Sequence, residues 1–115
     1  ARQAATARTG TPFESPWEER LYRALTATGI SAMPQYPIAG RRLDLAVING
    51  TVKLDIEVDG DRYHRDASGL RRVADLWRDR QLTGLGWQVL RFWVYELRED
   101  MDGCVRRIRA ALAGN

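Results

Sequence analysis

The chain has 115 residues, 44% of them apolar, and a net charge of +3. That length suits one domain around one core, and no apolar run approaches the roughly 18 residues that span a bilayer, so no membrane partner is expected. The single cysteine, Cys104, excludes an internal disulfide and argues against a thiolate zinc site, so a reducing, cytoplasmic setting is the simplest expectation.

In chain order, residues 1–12 are small and polar without periodicity and read as a flexible leader to a single domain over 13–115. The first residue is Ala1 rather than Met, which suggests a fragment of a larger protein. "SPWEERLYRALTATG" predicts a helix: Ser15 suits the N-cap, Pro16 the first helical position, and Glu18 completes a capping box. Gly29 ends it. "QYPIAG", "RRLDLAVI" and "TVKLDIEVD" predict three strands, the last two joined by a turn at Asn49-Gly50. Ser68 to about Thr83 predicts a second helix, with Leu70, Val73, Ala74 and Trp77 on its inner side. "GWQVLRFWV" predicts a fourth strand. Residues 100–113 predict a last helix, with Val105, Ile108 and Leu112 facing in. The order α-β-β-β-α-β-α describes an α/β protein built on a small mixed sheet.

In "KLDIEVDGDRYH", Asp55, Glu57 and Asp59 alternate with apolar residues, and the chain's only histidine, His64, closes the stretch. A two-residue turn at Asn49-Gly50 would set Asp44 opposite Asp55 and Arg42 opposite Glu57, with Asp44 and Glu57 diagonal neighbours roughly 7–8 Å apart. One face of this hairpin is apolar: Leu43, Leu45, Val47, Val52, Leu54 and Ile56. The other carries Asp44, Asp55, Glu57 and Asp59. Facing like charges destabilise a sheet unless water or a cation offsets them. A few oxygen ligands suit Mg²⁺ or Mn²⁺. Such an ion between Asp44 and Glu57 would activate water and neutralise phosphate charge, which is the logic of phosphodiester hydrolysis. The base composition points the same way, with 17 Arg against one Lys, Lys53. Arginine forks suit phosphate, although a coding bias explains the ratio equally well.

Taken together, "SPWEERLYRAL", "PQYPIAGRRLDLAV", "IEVDGDRYH", "RDRQLTGLGW" and "VLRFW", over about residues 15–95, resemble the PD-(D/E)XK nuclease superfamily. Within it they resemble the very-short-patch-repair-like (Vsr-like) endonucleases, and most closely the nuclease-like domain at the C-terminus of bacterial superfamily-1 helicases. The resemblance implies a restriction-endonuclease-like αβββαβ core with a mixed four-stranded sheet and an extra C-terminal helix. It implies a metal-dependent DNA endonuclease attached to a helicase or a DNA-repair or defence protein, with DNA as partner and room for an oligomer. Asp44 and Glu57 would ligate the metal, and Glu18 would contribute from the first helix. Asp59 stands where many relatives carry a catalytic lysine. His64 would assist the attacking water. Arg62, Arg65, Arg78 and Gln81 would hold the nucleic-acid backbone.

Each of these residues also has a plainer account. Glu18 caps its helix, Asp44 pairs with Arg42 on a wet strand, and Asp55 is a solvated neighbour. Asp59 belongs to a turn with Gly60, and Arg78 pairs with Asp79. Trp77, Trp87, Phe92 and Trp93 read as core. The missing lysine supports an alternative function, a nuclease-fold module that binds DNA for a partner domain without cutting it.

Overall fold

Ser15 starts the first helix as its context predicts. Helix α1 runs Pro16–Ala27, and the Ser15 side chain accepts a hydrogen bond from the Glu18 N–H at 3.2 Å. The expected box is not reciprocal, because Glu18 reaches past the cap and accepts from the Glu14 N–H at 3.1 Å. Leu21 and Leu25 are buried on the inner face. Gly29, at φ +86°, turns the chain away just after the cap at Thr28, a conformation that costs glycine little. The computed structural model describes residues 12–60 and 77–114. Arg62, His64, Arg65, residues 1–11 of the expected leader and residues 68–76 of the expected second helix lie outside the described residues. Among the described residues no helix is long and apolar enough to cross a membrane.

Four strands follow the expected order: β1 (Met33–Ile38), β2 (Arg41–Asn49), β3 (Val52–Asp59) and β4 (Trp87–Trp93). They lie side by side in chain order, with β1–β2 and β2–β3 antiparallel and β3–β4 parallel. A parallel pair needs a crossover, and helix α2, described over residues 77–84, belongs to it. Two helices close the chain, α3 (Val94–Glu99) and α4 (Met101–Leu112). The sequence reading missed α3, because Val94 simply extends the apolar run of β4. Asp100 caps α4 by accepting from the Gly103 N–H at 2.9 Å.

The β2–β3 register differs from the expectation. Asn49 pairs with Val52, so the turn is Gly50-Thr51, with Gly50 at φ +62°. Moving the turn by one residue shifts every pair by two. Asp55 therefore faces Ala46, Arg42 faces Pro37 on β1, and the same register carried one step past Leu45↔Ile56 sets Asp44 against Glu57.

Both faces of the sheet are covered. Leu45, Val47, Leu54, Ile56 and Phe92 pack with Leu21 and Leu25 of α1, Leu97 of α3 and Val105 and Ile108 of α4. On the other face Leu43, Ala46 and Trp87 pack with Leu82 of α2. Each such aliphatic side chain contributes about 1.5–3 kcal/mol by leaving water. Leu43 was expected beside Leu45. It joins Ala46 instead, so the strand's alternation breaks between them, at Asp44. Across from that break, between the pairs Pro34↔Leu45 and Tyr36↔Leu43, Gln35 adopts φ +52°.

Candidate active site

The ladder between β2 and β3 stops at Leu45 and Ile56, and β2 continues to Arg41 on β1 alone. Where it stops, side chains take over from backbone. The Asp44 N–H donates to Glu57 Oε2 at 3.3 Å, and the Val58 N–H donates to Asp44 Oδ2 at 2.9 Å. Each carboxylate satisfies a donor that the departing strand leaves behind. Asp44 and Glu57 are thereby fixed by the main chain.

Glu18 reaches the same point from α1. Its Oε1 accepts from the Glu14 N–H and, at 3.3 Å, from Gln35 Nε2. The left-handed backbone at Gln35 costs a non-glycine residue of order 1 kcal/mol, so the contact sits on a strained support. One carboxylate oxygen from each of Glu14, Glu18 and Asp44 lies within 4.8 Å of the others.

Burial raises the proton affinity of Glu18, Asp44, Asp55 and Glu57. It pushes Glu18 up to about 7, and the Asp44 charge adds to the shift. It pushes Asp44 up to about 7 as well, with Glu57 as the next cause. Asp55 is 0% exposed, and among the described residues neither of its carboxylate oxygens accepts a hydrogen bond. It is thus buried rather than solvated, contrary to the plainer reading. Burial raises both Asp55 and Glu57, and two neighbouring carboxyls can share a hydrogen bond only when one of them holds a proton. Hard oxygen donors at this spacing, from exposed Glu14 through half-buried Asp44 to buried Glu18, fit a divalent cation of the Mg²⁺ or Mn²⁺ type.

A cation from the chain itself also faces the group. Arg91 of β4 pairs in register with Glu57. Its guanidinium bridges Asp59 at 3.3 Å and Asp79 of α2 at 2.6 Å, and its charge lowers the proton affinity of Asp55 and Glu57. Asp59, at the position of the expected lysine, therefore holds an arginine. Asp79 pairs with Arg91, whereas Arg78 was the expected partner.

The structure thus brings together Glu18, Asp44 and Glu57, with Asp59 alongside through Arg91. The oxygen triad includes Glu14 where Glu57 was expected. Arg78 and Gln81 lie on α2 in a groove with Arg41, Trp77 and Arg80. Trp77 was read as core and is 67% exposed. Sequence reasoning passed over Glu14, Gln35 and Arg91. A charged residue inside the apolar run "VLRFW" was the signal for Arg91, and Glu14 stands just before the cap. Nothing in the sequence marked Gln35.

Comparison with known proteins bears on the fold. The model of the REase_MTES_1575 family, which is restriction-endonuclease-like, matches residues 17–112. Among solved structures, the catalytic domain of the homing endonuclease I-Bth0305I superposes with a TM-score of 0.69 at 20% sequence identity, covering 88% of this chain and 97% of that one. The fold is therefore that of restriction-endonuclease-like nucleases: an α/β protein with a mixed four-stranded sheet.

Proposed function

The chain belongs to the REase_MTES_1575 family, and from that premise we propose that it is a metal-dependent DNA endonuclease domain that hydrolyses phosphodiester bonds. The observation that carries this reading is the carboxylate group at the end of the β2–β3 ladder, where Asp44 and Glu57 are anchored on backbone amides beside Glu18. Glu18, Asp44 and Glu57, with Glu14 at the rim, would hold Mg²⁺ or Mn²⁺. A cation bound there supplies positive charge against the phosphate oxygens and makes water more acidic.

The chain's own residues do the rest. Backbone donors hold Asp44 and Glu57 in place, so little rearrangement is needed on binding. Glu57, with raised proton affinity, sits ready to hold a proton near neutral pH. Arg91 supplies the fixed charge that the absent lysine would give, oriented by Asp59 and Asp79. In this reading His64 relays the proton of the attacking water, and Arg62, Arg65 and Arg78 grip phosphates. A helicase or repair domain in the same full-length protein is the context proposed for it.

A DNA-binding module without cleavage is the second reading, favoured by Asp59 at the lysine position. Incubation of supercoiled plasmid with the purified chain and Mg²⁺ or Mn²⁺ separates the two. The nuclease nicks it, and Glu57→Ala lowers the rate by about 10²–10³-fold while DNA affinity stays within a few-fold. Binding with no cleavage of plasmid or of a single-stranded oligonucleotide under either ion rejects the enzyme.

A further inference from the structure

Outside the carboxylate group, the most distinctive surface is the groove between the start of β2 and α2. Its volume is about 650 Å³, and Arg41, Trp77, Arg78, Arg80 and Gln81 line it. Among the described residues that line it, Arg41, Arg78 and Arg80 carry guanidinium groups and none is acidic. Trp77, Arg80 and Gln81 fall at i, i+3 and i+4, on one side of the helix. Arg41 donates to Gln81 Oε1, which ties strand to helix, and its Nη1 is buried without a partner among the described residues. Trp77 presents its indole to solvent at 67% exposure, an unusual place for so large an apolar ring.

Arginines alone would serve a duplex, which shows its phosphates outward and hides the faces of its bases. An exposed indole beside them serves a strand whose base face is open, because stacking needs an unpaired base. Arg41 is three residues from Asp44 along β2, roughly 10 Å, the length of about three stacked nucleotides. We propose that this groove holds a nucleic-acid strand by its phosphates and stacks an unpaired base on Trp77, so that the substrate is single-stranded or locally unpaired. The inference rests on the nuclease reading and specifies the state of its substrate.

Fluorescence anisotropy in chelator, where no metal-dependent cleavage occurs, tests the groove separately from the chemistry. A labelled single-stranded oligonucleotide should bind more tightly than its own duplex. Trp77→Ala should weaken single-strand binding about tenfold and leave the duplex unchanged, while Trp77→Phe should stay within about threefold of the native chain. Arg80→Ala, on an exposed position, should lower the salt slope by about 0.7 for single strands, and it carries the test if Trp77→Ala does not fold. Unchanged single-strand affinity in Trp77→Ala, a duplex preference, or Trp77-dependent binding of a glutamate-rich peptide instead would overturn the proposal. Trp77-dependent binding with no cleavage of a single-stranded oligonucleotide or of plasmid in Mg²⁺ or Mn²⁺ would sink the nuclease and keep the groove. Nicking with Trp77-independent binding would do the reverse.

Discussion

Arg91 shows how much one side chain decides. It sits beside Glu57, holds Asp59 and Asp79, and lowers the proton affinity of the buried carboxyls. A purely structural ion pair and a catalytic charge predict different outcomes on its removal. Arg91→Ala leaves two part-buried carboxylates without this guanidinium and should cost about 1–3 kcal/mol of stability. If the charge also serves the reaction, the cleavage rate falls a further ~10²-fold under conditions where the variant is folded. The sign of the pH effect is fixed. Without the guanidinium, Glu57 and Asp55 hold their protons more tightly, so the acid limb of the rate profile moves to higher pH. Arg91→Lys should bring the limb back most of the way, although it cannot make both contacts of the fork. A limb that stays in place in Arg91→Ala would reduce Arg91 to a strut.

Among the elements, the hairpin turn matters most, because it alone sets which carboxylates meet. A turn at Gly50-Thr51 requires the left-handed conformation of Gly50, at φ +62°, and nothing lies within 4 Å of where a Cβ would be placed there. Gly50→Ala should therefore cost about 1 kcal/mol through backbone conformation alone. Asn49→Ala should cost less than half of that, because Asn49 is a paired strand residue. Urea unfolding of both variants reads the difference, and equal costs would restore the Asn49-Gly50 turn. Apart from the helix α3, which the apolar run of β4 hid, the described elements were legible from capping at Ser15, from alternation in β2 and β3, and from that apolar run. Glu18 entered only through the resemblance, whereas the nearness of Asp44 to Glu57 was legible too. The register was not, since Asn-Gly suits two turn positions that differ by one residue, and alternation is blind to a shift of two. Leu43 was misplaced because periodicity assumes an unbroken strand, and the break at Asp44 comes from side chains capping the ladder's end. Trp77 was misread because helical spacing fits an inner and an outer stripe equally well until the neighbouring element is known.

Across the whole molecule, the carboxylate group makes stability depend on pH in a direction opposite to that of most acid-sensitive proteins. In the metal-free chain Glu18 and Asp44 hold protons up to about 7, whereas in the unfolded chain they release them near 4. The folded state therefore binds more protons than the unfolded one between those limits. A raised native proton affinity stabilises fully below the ordinary range, and that stabilisation is lost as pH rises through about 7. Glu57 and Asp55, raised as well, extend the loss toward alkaline pH. In chelator, the thermal midpoint should fall by at least ~5 °C between about pH 5 and pH 8, the equivalent of about 1 kcal/mol for a domain of this size. Asp44→Asn keeps the shape without the charge, so it should raise the midpoint at the upper pH and flatten the slope. Mg²⁺ or Mn²⁺ binds the ionised carboxylates, so its stabilisation should be larger at the upper pH than at the lower one, and Asp44→Asn should remove most of it. A midpoint that rises with pH in chelator would mean that the four carboxyls are ionised and paired in the metal-free fold. A cation effect independent of both pH and Asp44 would place the ion elsewhere. The same burial that makes these carboxyls costly in the empty protein is what lets a cation bind them tightly, because the repulsion it relieves is already built into the fold.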